Sequence, residues 1–394
     1  MELNTKYGEI KIYAKTLEDE ALTQIIKMAN SPLGEGAHIR IMPDTHAGKG
    51  CTIGTTMRIT DKVCPNIVGV DIGCGMDLVS TNINFEDRLG ELDKVIRKYV
   101  PYGQKVHDSF QLDEFYFANL KCWNELSDAA RKNALSALGS LGGGNHYIEA
   151  YENGALCVHS GSRNLGLQVA NYYQKLAEKK FSQKTEIIGD ILETIPKAER
   201  EAFRQSYAAK LKETDATVPK ELLWLEGKEM EDYLHDMRFA TKFANDNRIM
   251  MLTTIVTKIG GKIISSVTST HNYIDEKNIL RKGATNAEKG TRFLIPLNMR
   301  DGVLVCIGKG NEDWNNSAPH GAGRLYSRSK AKEIFTIEEY QKSMAGIYTT
   351  CINQSTIDEA PFVYKDSNEI MELIEPTAEI IDHLIPIYNF KSDS

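Results

Sequence analysis

Several absences narrow the reading of this 394-residue chain. It has no apolar run near the roughly 18 residues that a membrane-spanning helix needs, and its mean hydropathy is −0.36. It has no excess of positive charge. Its 47 Lys and Arg face 54 Asp and Glu, for a net charge of −7. A protein that coats nucleic acid by bulk charge is usually basic, so only a local basic groove is left for such a partner. Cysteines number seven, an odd count with no CxxC pair. That set fits a reduced intracellular chain and excludes a disulfide framework and a zinc ribbon. The phosphate-loop signature GxxxxGK[ST] is missing, and so is GxGxxG after a strand. The first twenty residues are polar with early acids, unlike a signal or transit peptide. A cytoplasmic location with no membrane partner is the expectation.

What remains is ordinary globular composition, 41% hydrophobic and 26% charged. The length suits one large domain or two to three small ones. Apolar spacing predicts helices over 18–28, 87–99, 113–138, 334–347 and 357–374, and short strands over 10–13, 38–42, 66–70, 155–158, 263–267 and 303–307. The tail at 380–390 mixes strand and turn signals. Residues 185–259 are charged, poor in glycine and helical in pattern. The expectation is an α+β fold in a single domain over 1–394, with a helical insert at about 185–259, and not an alternating βαβ series.

The chemistry-bearing residues cluster in short turn-like segments rich in Gly, Ser, Asn or Pro. Five of the nine histidines, His46, His146, His159, His271 and His320, sit in PDTHAGKG, LGGGNHYIE, VHSGSRNLG, THNY and SAPHGAGR. Glycine flanks suit tight turns and close backbone approach to a ligand. Asp71 and Cys74 lie three residues apart on a turn after an apolar run, in IVGVDIGCGM. Carboxylate, thiolate and neutral imidazole are all metal ligands. With no clustered ligand motif, a metal site has to gather Asp71, Cys74, His146, His159 and His271 from distant segments. Five donors with one bridging thiolate suit two adjacent cations, and ligand softness alone favours zinc or iron. Taken singly, Cys74 is as well read as a small buried hydrophobe. His320, four residues before Arg324, is a plausible nucleophile for a phosphoryl group that the guanidinium would hold.

With MPDTHAGKGCTIGTT, GVDIGCGMD, LGGGNHYIE, VHSGSRNLG, HNY, RKGAT and HGAGRLYSR together, and weaker similarity in DEAPFVYK and a C-terminal lysine, the chain resembles the RtcB family of GTP- and manganese-dependent RNA ligases. The resemblance implies the RtcB-like fold, with mixed β-sheets around a metal and nucleotide site and flanking helices. It implies two Mn²⁺ ions, one on Asp71, Cys74 and His146, the second on Cys74, His159 and His271. It implies that His320 becomes guanylylated by GTP and that Asp44 orients it. Asn145, Glu149, Asn298 and Lys391 match positions around the nucleotide, and Arg163 and Arg324 positions near RNA phosphates or GMP. The substrate would be RNA with a 3′-phosphate or 2′,3′-cyclic phosphate and a 5′-hydroxyl, in RNA repair or tRNA splicing. The protein is taken as a monomer, with archease as the candidate activating partner.

The chain departs from the family pattern at 295–302. There IPLNMRDG stands in place of a serine-bearing segment that helps hold GTP, and Asn164 replaces a common glycine. Two other readings stand beside this one: a metal-dependent RNA cyclic phosphodiesterase or phosphatase that never ligates, favoured if GTP does not bind, and a non-catalytic RNA-binding module. The negative charge and the complete ligand set weigh against the module.

Overall fold

The computed structural model describes residues 1–194, 196, 199–200 and 218–392. Its centre is a five-stranded antiparallel sheet in the order Ile263–Thr270, Gly75–Thr81, Ala155–Ser160, Tyr147–Tyr151, Pro386–Lys391. A six-stranded sheet, with one parallel pair, runs from Glu2–Thr5 through Gly8–Ile12, Arg40–His46, Ile53–Arg58 and Ile279–Lys282 to Tyr273–Ile274. Arg292–Asn298, Gly302–Gly308 and Ala378–Leu384 form a third sheet, and Ala284–Asn286 pairs with Ser317–Pro319. Mixed sheets with helices packed around them make this an α+β fold, as expected. Among the described residues no helix is long and apolar enough to cross a membrane.

The helix Gly227–Ile259 ties the molecule together. Tyr233, Met237, Ala240, Phe243, Asn247, Met251, Ile255 and Ile259 are all buried, a stripe at three- and four-residue spacing. The first half packs in a cluster with Leu165, Val169 and Tyr173 of the helix Arg163–Thr194. The second half packs under the central sheet against Val79, Ile148 and Val158. Composition sets 185–259 apart as an insert, but the part from Gly227 onward is core. Residues 195, 197–198 and 201–217 of that segment lie outside the described residues.

Some expected elements take another form. The apolar run at 66–70 is a helical turn, Pro65–Val68, not a strand. Pro65 presets the first helical position, and a run buried on every side carries no period that separates strand from helix. The expected helix over 113–138 breaks into Glu114–Phe117, Trp123–Glu125 and Asp128–Ala137. Asp113 and Ser127 each cap a new turn. Between them the buried Asp236 carboxylate accepts from the amides of Lys121 and Cys122. The span 357–374 is likewise divided, at Pro361 and at the cap Asp366, into Ile357–Glu359, Pro361–Val363 and Ser367–Leu373.

Candidate metal and nucleotide site

Strand register gathers the site at one end of the central sheet. Gly75 pairs with Ser160 and Thr270, Met76 with His159, and Tyr147 with both His159 and Lys391. Cys74 therefore leaves its strand beside His271, which follows Thr270, and beside His159. His146 precedes Tyr147, and Lys391 lies one strand further on. From the neighbouring sheets come Asp44, on Arg40–His46, and His320, which follows the strand Ser317–Pro319.

Cys74 Sγ lies 3.5 Å from His146 Nε2 and 3.4 Å from His159 Nε2. His146 Nε2 is 3.0 Å from Asp71 Oδ2, and His159 Nε2 is 3.2 Å from His271 Nε2. The donors form two triads, Asp71–Cys74–His146 and Cys74–His159–His271, each within 4.8 Å and sharing Cys74. His146 Nδ1 contacts Leu141 O at 2.9 Å and His159 Nδ1 contacts Asn145 O at 3.2 Å. A carbonyl only accepts, so both rings present Nδ1–H to it and turn Nε2 inward. With Nδ1 held by a carbonyl, Nε2 is the nitrogen each ring can offer to a cation, beside a carboxylate and a sulfur that are metal ligands themselves. The donor set fits two such ions.

Burial holds His159 and His271 well below the ordinary imidazole pKa, so both are neutral, the form that can bind a cation. Burial pushes the Asp71 carboxyl up, but its bond to His146 outweighs this and the carboxyl is held low. Burial, then the Asp71 charge, pushes the Cys74 thiol well up; a bound cation deprotonates such a thiol outright. Gly161 is required here, because a Cβ on it would lie 2.0 Å from Asp71 Oδ1.

His320 stands next to these triads, its ring 4.7 Å from that of His271. Its Nδ1 is 2.7 Å from Oδ2 of the fully buried Asp44. With the carboxylate accepting, Nδ1 donates to Asp44 and Nε2 is the ring nitrogen left open for chemistry. Gly323, at φ +76, lets the loop after His320 approach Asp44; a Cβ there would meet Asp44 O at 2.5 Å.

A cavity of about 240 Å³ opens over these groups. His46, Asn145, Glu149, Asn298, His320, Arg324 and Lys391 line it, together with the metal-ligand candidates Asp71, Cys74, His159 and His271. His146 sits behind Asp71 and Cys74. Arg163 does not line the cavity: its guanidinium donates to Ser140 Oγ at 3.0 Å and Gly103 O at 2.7 Å. Asn298 faces the cavity but spends its amide within the hairpin turn, on Asp301 Oδ2 and the amides of Arg300 and Asp301.

Glu149 accepts from Tyr151 Oη and Asn389 Nδ2, yet burial raises its pKa to about 7. The unfolded carboxyl ionises near 4.5, so between 4.5 and 7 the folded state holds the extra proton. Its contribution is therefore full below 4.5 and declines as pH rises through 7. Glu149→Gln should stabilise the metal-free protein at pH 8 by about 2 kcal/mol or more, since each tenfold difference in proton affinity is worth about 1.4 kcal/mol, and leave it unchanged at pH 4. Urea titrations at both pH values check this; equal effects at the two would sink it.

Sequence reasoning missed Glu359. Its buried carboxylate accepts from Arg328 Nη1 at 2.6 Å, Lys391 Nζ at 3.1 Å and Arg324 Nη1 at 3.2 Å, and from Tyr364 Oη. Burial opposes its charge, but the three cations win and hold its pKa far down. The segment DEAPFVYK drew notice by similarity, but nothing local marks Glu359, whose cationic partners are 31 to 35 residues away.

A family model described as tRNA-splicing ligase RtcB matches residues 24–123 and 116–392. The chain is 30% identical to the RNA-splicing ligase RtcB of Escherichia coli (strain K12), over 96% of each chain. It is 26% identical to the tRNA-splicing ligase RtcB of Nanoarchaeum equitans, over 93% of this chain and 90% of that one. Against the tRNA-splicing ligase RtcB of Methanococcus maripaludis the figures are 28%, 91% and 88%. Matched nearly from end to end by model and relatives alike, the chain belongs to the RtcB family of RNA ligases.

Proposed function

We propose that this enzyme joins an RNA 3′-phosphate to a 5′-hydroxyl at the expense of GTP, through a guanylyl group carried on His320. The observation that carries this reading is His320 itself: a bare Nε2, backed by the Asp44 carboxylate, beside two cation-binding triads in one cavity. His320 Nε2 attacks the α-phosphorus of GTP and pyrophosphate leaves. Asp44 steadies the imidazolium as the phosphorus–nitrogen bond forms. The RNA 3′-phosphate then takes the guanylyl group and releases His320. The 5′-hydroxyl attacks the activated phosphate, GMP departs, and the strands are joined. A 2′,3′-cyclic phosphate is first opened to the 3′-phosphate.

Two divalent cations, manganese by the resemblance, held by Asp71, Cys74 and His146 and by Cys74, His159 and His271, would supply neutralisation of phosphate charge. Asn145, Glu149 and Lys391 would bind the nucleotide, with Asn298 contributing once its turn contacts are exchanged. Arg324, freed in part from Glu359, would grip phosphate. Arg163 would act on RNA phosphate only if it left Ser140 and Gly103. Cellular roles in RNA repair and in tRNA splicing both suit this chemistry.

The test is covalent labelling. Wild-type protein given α-labelled GTP and Mn²⁺ should retain acid-labile label after denaturation, and His320→Ala should retain none. Absence of label on folded, metal-loaded wild type would sink guanylyl transfer. Hydrolysis of RNA cyclic phosphate without ligation would then be the reading, favoured by the Asn298 amide being spent in its own turn.

A further inference from the structure

We infer that His46 is a second reactive imidazole of this cavity, the group that takes the proton from the RNA 5′-hydroxyl when the strands are joined; this rests on the ligase reading above. Asp44 orders two imidazoles. Its carboxylate holds Nδ1 of His320, and its backbone carbonyl lies 3.0 Å from Nδ1 of His46. A carbonyl cannot donate, so His46 carries its proton on Nδ1 and has a free lone pair on Nε2. That Nε2 has no hydrogen-bond partner among the described residues, and His46 lines the same cavity as His320 and Arg324. Burial first, with His320 and Arg324 nearby, holds its pKa down to about 4, so the lone pair is open at neutral pH. Phosphates entering the cavity bring negative charge, which favours the imidazolium once it forms.

The chemistry assigns the step. His320 attacks GTP with a lone pair, and the RNA 3′-phosphate attacks as an anion, so neither step needs a base. Among the guanylylation and joining steps, the 5′-hydroxyl is the one nucleophile that must lose a proton. As its O5′–P bond forms, the proton passes to His46 Nε2. The bond from phosphorus to the GMP oxygen breaks, and GMP leaves as an anion with the electron pair. The His46 imidazolium then returns its proton to solvent. A positioned base of this kind contributes about 10²- to 10⁴-fold.

The experiment separates the steps with an RNA bearing a ready-made 3′-diphosphoguanosine end, mixed with an RNA carrying a 5′-hydroxyl. His46→Asn places an amide donor near the Nδ1 position, preserving the contact with Asp44, and removes the base. It should lower sealing of the activated RNA about 100-fold or more relative to its rate of self-guanylylation, and should abolish the rising limb of the sealing rate with pH. His46→Gln, with its amide near the Nε2 position, checks that loss is not misfolding: its thermal unfolding should match wild type and its sealing should fall alike. Sealing that falls only in step with self-guanylylation, or that keeps its pH dependence in both variants, would overturn the assignment. Wild type that fails to self-label would instead remove the ligase reading beneath it.

Discussion

Cys74→Ala should cost the protein both cations at once, whereas His146→Ala and His271→Ala should each cost about one. The shared sulfur is the reason: Cys74 belongs to both triads, while each of the two histidines belongs to one. Wild type should bind two equivalents of Mn²⁺, the histidine variants about one, and Cys74→Ala close to none, as read by metal analysis after gel filtration. Guanylyl transfer by Cys74→Ala should fall by roughly 10³ or more, since charge neutralisation by cations supplies several kcal/mol of transition-state stabilisation. The metal-free fold should survive the change. Cys74 is a small buried side chain, and its thiol is pushed well up by burial and the Asp71 charge, so its removal relieves as much as it disturbs. Retention of one tightly held equivalent by Cys74→Ala would mean that the triads do not depend on a common ligand.

The ligand candidates were legible together, because they recur in short turn-like segments whose combination is specific although no single one is. Gly161 beside Asp71, and the glycines around Cys74 and His320, have no apolar role that would explain them. The sequence could not show that these turns meet, since that depends on register between strands far apart in the chain, such as Met76 against His159 and Tyr147 against Lys391. Residues that act by pairing across long separations stayed hidden. Glu359 reads as one acid among many until Lys391, Arg324 and Arg328 are seen on its two oxygens. Softness of the thiolate pointed to zinc or iron, and only resemblance pointed to manganese, because softness ranks metals by a single ligand whereas the triads also contain a carboxylate and imidazoles. The segment 185–259 misled most. Its charged, helical composition suggested an insert, yet Asn247 and Arg248 lie on the buried stripe of the helix Gly227–Ile259.

Those two buried polar residues connect helix and site, and Arg248→Met should show it with a loss of about 3–5 kcal/mol, the usual cost of leaving one member of a buried ion pair alone. Arg248 is fully buried. Its Nε lies 2.5 Å from Asp77 Oδ2, and its Nη1 donates at 3.0 Å to the carbonyls of both Gly73 and Ser160. Gly73 precedes Cys74 and Ser160 follows His159, so one guanidinium fixes the backbone beside the shared ligand and beside a ligand of the second triad. Asn247 extends the lattice, accepting from the amides of Gly139 and Ser140 and donating to Ser140 O and Gly161 O. Methionine fills the volume of arginine but leaves Asp77 with only Thr268 as a side-chain donor among the described residues and leaves two carbonyls without the guanidinium. Adding Asp77→Leu to Arg248→Met should recover a substantial part of the stability, because replacing both members of a buried pair is far less costly than removing one. It should not recover metal affinity, since Gly73 O and Ser160 O still lack the donor that sets their loops. Urea unfolding and Mn²⁺ titration of the two variants separate these effects. Full recovery of metal binding in the double variant would show that the guanidinium serves the ion pair alone and that the loops carrying Cys74 and His159 hold their own geometry.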